Sequence, residues 1–464
     1  MSQKFDAIII GTGQAGPSVA ARMSREGMQV AIVERKLFGG TCVNVGCIPT
    51  KTLVASARVA YIARRAADFG VVIDENINVD MKKVRARKDK IVKQSNNGVT
   101  QWMEGLKNIT VFRGHAKFIS SNEVSVNNET LCADKIIINV GGRAFVPDIQ
   151  GLKDVNYFTN SDIMEVDFLP EHLVIIGGSY IGLEFAQAYR RFGSKVTVIE
   201  RSKRLLPRED EDIANAIRDF LTLEGIDIRT GSNCIQLEKN GNGVKVSYDC
   251  EKPENTVQGS HLLIAVGRVP NTDSLGLERA GVKTDDRGFI EVNDQLQTNV
   301  AGIWALGDVN RKGAFTHTSY NDSEILVANM FDNDPRKISD RIACYGLFVD
   351  PPLGRVGMTE DQARSSGRNV LMGKRMMTRV GRAKERGETH GFIKILVDGD
   401  SKEILGAAIL GINGDEAIHS LLDIMYAKAP YTVIQRAVHI HPTVSELIPT
   451  VLGELKPLAA IATV

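Results

Sequence analysis

Gly39-Gly40-Thr41-Cys42-Val43-Asn44-Val45-Gly46-Cys47-Ile48-Pro49-Thr50-Lys51 is the stretch around which the chain is organised. Two cysteines stand five positions apart among glycines. On a regular helix that spacing separates the Cα atoms by about 8–9 Å, whereas a disulfide needs roughly 4.4–6.8 Å. If Cys42 and Cys47 pair, the backbone between them departs from ideal helix. Gly46 supplies the freedom to bend, and Pro49 suits the first turn of a following helix. So short a ring removes little chain entropy and makes a poor staple, and a strained bond is readily reduced. The reading is a catalytic redox disulfide. A pair of free buried thiols, or half of a metal site, are the plainer alternatives. A metal site needs two further clustered ligands, and no other Cys or His lies near this loop in sequence.

Upstream, Phe5-Asp6-Ala7-Ile8-Ile9-Ile10 reads as a buried parallel strand. Gly11-Thr12-Gly13-Gln14-Ala15-Gly16 follows, then a helix to about Glu26 and a second strand, Gln29–Val33, closing at Glu34. This is a βαβ dinucleotide fingerprint in its proper setting. Gly11, Gly13 and Gly16 permit the turn and the approach of backbone to a pyrophosphate, the helix N-terminus faces the phosphates, and Glu34 bonds a ribose hydroxyl. The pattern returns as Leu173–Ile176, then Gly177-Gly178-Ser179-Tyr180-Ile181-Gly182, then Lys195–Ile199 closing at Glu200. Glu34 follows Gly11 by 23 residues and Glu200 follows Gly177 by 23. Equal spacing indicates two nucleotide sites of one design. Ser179 stands where a second glycine is usual and adds a side chain where backbone approaches the pyrophosphate.

The 464 residues predict two to three domains. Lys plus Arg number 57 and Asp plus Glu 56, for a net charge of +1, so no charge excess points to nucleic acid. No apolar run is long enough to span a bilayer, Met1–Asp6 lacks the regions of a signal peptide, and six cysteines are too few for a secreted disulfide scaffold. The expectation is a cytoplasmic enzyme without membrane or nucleic-acid partners. Residues 51–68 and 79–104 read as helices, with the basic run Lys82–Lys90 as a solvated helix face. Residues 109–140 alternate like a small β-region. Later strands are expected at Cys344–Val349, Gly391–Val397 and Ile404–Leu410, and helices near 316, 414–427 and 443–455.

The redox stretch, complete as Gly-Gly-Thr-Cys-x-Asn-x-Gly-Cys-x-Pro-x-Lys, resembles that of the class I pyridine-nucleotide–disulfide oxidoreductases, which include glutathione reductase, lipoamide dehydrogenase and mercuric reductase. Thr298–Asp308 is similar to the family's second FAD segment, and His441-Pro442-Thr443-Val444-Ser445-Glu446 to its interface-domain signature. The resemblance implies an α/β fold of two Rossmann-like domains, one inserted in the other, plus a C-terminal α+β dimerisation domain. The implied bounds are 1–146 with 271–338 for FAD, 147–270 for NAD(P), and 339–464 for the interface. It implies FAD, with NADH or NADPH, as cofactors and no resident metal. The FAD would be held by Gly11, Gly13, Gly16, Glu34, Thr41, Lys51, Gly141 and Asp308. Gly177, Tyr180, Gly182, Glu200, Arg201 and Gly267 would serve the nicotinamide nucleotide, with Tyr180 as an aromatic lid. Electrons would pass from NAD(P)H through FAD to Cys42–Cys47. Cys47 would be the thiolate beside the flavin, Cys42 the thiol that meets substrate, and Lys51 with Glu184 a charge pair at the flavin. A homodimer would share each site between chains, His441 acting as a base oriented by Glu446.

His439 and cysteines 132, 234, 250 and 344 read as structural. Pro207–Asp210 and Pro351–Met358 look most like the mercuric-reductase-like branch, which includes the flavoprotein of reactive-chlorine resistance. The expected acceptor is a disulfide or a soft metal ion. Pro457–Val464 lacks the vicinal cysteines with which mercuric reductases deliver metal, and His441 stands where they tend to carry tyrosine. Lipoamide dehydrogenase is the alternative, and a redox sensor without turnover is the alternative of another class.

Overall fold

The computed structural model describes residues 2–73, 77–249, 251–252 and 254–458. Its centre is a five-stranded parallel sheet in the order Ile303–Ala305, Ile136–Ile138, Ala7–Ile10, Val30–Glu34, Ile109–Arg113. Ala7–Ile10 is buried on both faces, as its unbroken apolar run requires. Residues 109–140 are not one β-region. Ile109–Arg113 extends the parallel sheet, whereas Ala116–Phe118, Glu123–Val126 and Glu129–Cys132 form a separate sheet with Ser2–Lys4. Alternation marks a strand but not which sheet it joins.

The second nucleotide unit repeats the design as a parallel sheet ordered Asp227–Arg229, Lys195–Ile199, His172–Ile176, His261–Ile264, flanked by three antiparallel strands. The chain leaves and rejoins the first unit through a two-stranded ribbon, Gly142–Ala144 against Arg268–Pro270. The two nucleotide turns are alike in detail. Gly11 (φ +103°) and Gly177 (φ +116°) lie so close to the next strand that a Cβ would fall 2.3 Å from the Asn139 carbonyl oxygen and 2.4 Å from that of Ala265. Only glycine fits there. The C-terminal unit is an antiparallel sheet ordered Cys344–Leu347, Leu353–Gly357, Ile404–Leu410, Phe392–Asp398, Val370–Met376, Lys456–Pro457.

One apolar core runs through Leu53 and Ala57 of helix Cys47–Arg64, Leu173 and Leu183 of the second unit, and Leu347 and Leu353 of the C-terminal sheet. Charges fix its orientation. Lys394, 1% exposed, lies 2.8 Å from Asp210, 2.7 Å from Asp212 and 2.5 Å from Glu360. Arg355 pairs with Asp210 at 2.7 Å, and Arg191 with Glu224 at 2.7 Å and Asp350 at 2.5 Å. The three carboxylates around Lys394 have the spacing of a cation site, and the ammonium already fills it.

Helix Cys47–Arg64 is followed by a short turn, Ala66–Phe69, and the next helix is Met81–Glu104. The basic run is not simply a solvated face. Lys82, Lys83 and Lys90 are exposed, but Lys88 is buried against Glu165 at 3.2 Å and Arg85 reaches the same carboxylate at 3.0 Å. Cys132 and Cys344 are free thiols, whereas Cys234 is disulfide-bonded. Cys250 and the end of the terminal stretch, 459–464, lie outside the described residues. No described helix is long and apolar enough to cross a membrane.

Removing the ammonium from three converging carboxylates leaves uncompensated buried charge. Lys394→Ala is expected to destabilise the fold by about 3–5 kcal/mol, seen as a lower urea midpoint, and an unchanged midpoint would refute this role.

Candidate active site

The redox stretch lies directly on the first nucleotide turn. Gly39 donates to the Thr12 carbonyl at 2.9 Å, and a Cβ on Gly40 would come within 2.9 Å of Gly13 Cα. The Asn44 amide ties the loop to the carbonyls of Phe38 and Gly40 at 2.8 and 2.9 Å. Cys42 sits on the short helix Gly40–Asn44. Val45 and Gly46 break that helix, and Cys47 begins the next, Cys47–Arg64. The expected departure from continuous helix is present. Gly46 is needed for clearance, since a Cβ there would meet the Thr41 carbonyl oxygen at 2.8 Å.

The two sulfurs are unbonded thiols, the reduced form of the expected pair, and they hydrogen-bond to each other. The Cys47 sulfur also lies 3.1 Å from the Thr316 hydroxyl, at the start of helix Thr316–Val327. The Cys42 thiol holds Cys47 down to about 6, with Thr316 and the Lys51 charge acting in the same direction. The same bond, together with burial, pushes Cys42 up. Cys47 is thus the thiolate of the pair at neutral pH. Lys51, one turn along, bonds buried Glu184 at 2.5 Å and covers the Phe348 ring at 4.6 Å. Glu184 also accepts from the Phe348 amide at 3.0 Å. The pair therefore joins the redox helix, the second unit and the C-terminal unit.

Both acids at the strand ends sit beside their turns. Glu34 accepts from the Thr12 amide at 3.0 Å and hydroxyl at 2.6 Å, and Glu200 from the amides of Gly178 at 2.6 Å and Ser202 at 2.7 Å. Gly16 and Gly182 pack their helices on the carbonyls of Gly11 and Gly177. Ser179 is extended (φ −109°, ψ −174°), a conformation any residue adopts, so glycine is not demanded by the backbone. Asp308 is partly buried 3.7 Å from Arg268, and desolvation raises its carboxyl. Arg268 also reaches Thr41 at 3.5 Å. Gly141 and Gly267 have open space where a Cβ would stand. Arg201 is exposed. A glycine turn opening a helix, with the Glu34 carboxylate bonded to the turn at Thr12, fits the pyrophosphate and ribose of a flavin dinucleotide.

Asn139 escaped the sequence reading. It is buried, accepts from the Gly16 amide at 3.0 Å and donates to the Leu306 carbonyl at 2.9 Å, clamping the first glycine turn to the strand end before Asp308. A polar residue ending the run Ile136-Ile137-Ile138 was the available signal. Thr316 was noted only as a helix start.

At the other end of the chain, His441 Nδ1 lies 2.8 Å from Glu446 and its side chain is 79% exposed. Among the described residues Glu446 is its only side-chain hydrogen-bond partner. Val438 and Ile440 beside it are almost wholly exposed.

A family model described as pyridine nucleotide-disulphide oxidoreductase matches residues 5–323. The chain belongs to this family. The family's dimerisation domain matches residues 344–452. This oxidoreductase is therefore FAD-dependent and uses NAD(P)H. It is 36% identical over 451 residues to the probable pyridine nucleotide-disulfide oxidoreductase RclA of Escherichia coli (strain K12), covering 96% of this chain and 97% of the relative. It is 34% identical to a dihydrolipoyl dehydrogenase of Thermus scotoductus, covering 95% of each. It is 32% identical to a mercuric reductase of Staphylococcus aureus, covering 90% of this chain and 76% of that one. The solved Cu(II) complex of the HOCl-induced flavoprotein disulfide reductase RclA from E. coli superposes with a TM-score of 0.88 at 34% identity, covering 96% of this chain and 99% of that one.

A thiolate beside oxidised flavin absorbs at long wavelength. In the flavin-loaded oxidoreductase, that band is expected in the wild type after anaerobic addition of two electrons, in Cys42→Ser before any electrons are added, and in Cys47→Ser under neither condition. In the wild type it should fade as pH drops through about 6, because Cys47 then takes up a proton. A band that survives Cys47→Ser would reverse the assignment.

Proposed function

We propose that the protein passes electrons from NAD(P)H through FAD and the Cys42–Cys47 pair to a disulfide or a soft metal ion. The observation that carries this is the Cys47 sulfur, held as thiolate by Cys42, Thr316 and the Lys51 charge. Residues 1–146 with 271–338 are the proposed FAD-binding part, 147–270 the NAD(P)-binding part and 339–464 the interface. The pairing of Ile303–Ala305 with Ile136–Ile138 across the intervening unit supports that division.

Bound FAD supplies the relay by which a nicotinamide hydride becomes two electrons for a disulfide. With the pair reduced, the Cys42 sulfur, its proton passed to His441, attacks one sulfur of the substrate. The first thiol leaves, taking that proton back. The Cys47 thiolate then attacks Cys42 and expels the second sulfur as a thiolate, which takes a proton from solvent, so the substrate is reduced and the pair oxidised. Glu446 orients His441 through the 2.8 Å contact with its Nδ1. Two thiols five residues apart also suit a soft, thiophilic cation, and the relative RclA is solved as a Cu(II) complex. The His441–Glu446 pair favours lipoamide dehydrogenase as the second reading. Turnover with lipoamide, glutathione disulfide, Hg(II), Cu(II) and quinones separates these, and inactivity toward all of them would remove the proposed acceptor class.

Glu200 would repel a 2′-phosphate, while Arg204 is engaged by the carbonyls of Pro207 and Glu209 at 3.2 and 3.1 Å. NADH is therefore the expected donor. Comparing kcat/KM for the two coenzymes checks this, and a clear NADPH preference would refute it.

The exposed His441, flanked by bare apolar residues, is proposed to serve the partner chain. Cys42→Ser and His441→Ala homodimers should each be nearly inactive. Refolded together in equal amounts, they should regain about a quarter of wild-type activity, since half the dimers are mixed and each has one whole site. A mixture that stays inactive, with mixed dimers and bound FAD verified, would place His441 in its own chain's site.

A further inference from the structure

Tyr180 opens helix Tyr180–Phe192 directly after the second nucleotide turn. Its ring packs edge-on against Phe315, 6.2 Å between centroids, and the next residue, Thr316, bonds the Cys47 sulfur. One turn further along the same helix, Glu184 holds Lys51. The way from the nucleotide turn to the redox pair thus runs over the Tyr180 ring. The phenol of Tyr180 does not end in solvent. It donates to Glu209 Oε1 at 3.1 Å, and the same oxygen accepts from the Tyr345 phenol at 2.6 Å. Tyr180, Tyr345 and Phe315 form one aromatic cluster.

Glu209 is almost fully buried, and its other oxygen, Oε2, has no hydrogen-bond partner and lies 4.0 Å from Arg355. A buried carboxylate with so little compensation is costly. Nothing in the proposed thiol chemistry uses it. Its one evident office is to accept the two phenols, and Tyr345 and Arg355 both belong to the C-terminal sheet.

We propose that Glu209 is a positioning residue for nucleotide binding, tethering Tyr180 across the nicotinamide site so that the tether must break before the nicotinamide can stack. This rests on the proposed function, in which the second turn takes NAD(P)H. A site closed by a tether binds with its intrinsic affinity multiplied by the fraction open, so weakening the tether raises the apparent affinity. The adenosine half of the nucleotide does not compete with the ring and is indifferent to the tether. Tyr345 shares the Glu209 oxygen with Tyr180, so losing its hydroxyl strengthens the tether.

The test uses flavin-loaded protein and two probes, each titrated calorimetrically. One is 1,4,5,6-tetrahydro-NAD, which carries a nicotinamide-like ring but transfers no hydride. The other is ADP-ribose, which lacks the ring. In Glu209→Gln and in Tyr180→Phe the Kd of tetrahydro-NAD should fall roughly three- to ten-fold, the difference between a hydrogen bond to a carboxylate and a weaker one or none. The double variant should match the singles, because both remove one interaction. ADP-ribose should bind all variants alike, which distortion of the nucleotide turn would not permit. Tyr345→Phe loses one hydroxyl and little volume, keeps the test open if Glu209→Gln does not fold, and should raise the Kd of tetrahydro-NAD. An unchanged or opposite shift, equal shifts for both probes, or additive single effects would overturn the tether. Wild-type protein that binds neither probe would instead overturn the nucleotide assignment itself, and the tether with it.

Discussion

A lysine ammonium enclosed by three carboxylates is the contact on which the relative placement of the units depends. Apolar packing between the second nucleotide unit and the C-terminal sheet is extensive, but such packing tolerates sliding. Buried charge does not, because each carboxylate is stable only with its cation at bonding distance. Lys394 and Arg355 from one unit engage Asp210 and Asp212 of the other. Arg191, Asp350 and Arg58 repeat the arrangement nearer the redox helix. The segment Glu209–Asp210, where these charges converge, also reaches the aromatic cluster over the nucleotide turn. Rigidity made in a charged seam is thereby delivered to the second glycine turn.

The same logic governs the redox pair. Two neighbouring thiols share one proton unequally, and which sulfur keeps the negative charge is decided by what each faces. Cys47 faces Thr316 and the Lys51 charge, both of which favour the thiolate, while Cys42 donates its hydrogen to it. The sulfur that carries the charge and the sulfur that keeps the proton are thus distinguished by their surroundings alone.

Much of this was legible in the chain. Glycine turns, closing acids and the cysteine stretch are local patterns, and each recurs in the structure at the residues that define it. The Lys51–Glu184 contact was reached only through resemblance, since 133 residues separate the partners. What the sequence hid was pairing across distance. Lys88 sits in a run of bases and looks solvated, yet its partner Glu165 lies in another segment altogether. Glu209 and Tyr345 meet across 136 residues and leave no periodic trace. Ile109–Arg113 alternates as any strand would, and only the completed sheet shows which neighbour it takes. Asn139 closes an apolar strand and so passes for its end.

The broken order of the first sheet also bears on how the chain emerges from the ribosome. Ile136–Ile138 is made early, but its outer neighbour Ile303–Ala305 follows about 165 residues later. At translation speeds of roughly 5–20 residues per second the interval is about ten to thirty seconds. During that time a three-isoleucine edge stands with its backbone groups unpaired, an invitation to pair with a neighbouring nascent chain. The second nucleotide unit is synthesised entirely within that window. The insertion that creates the active-site junction therefore also creates the period in which the newborn protein most needs shielding.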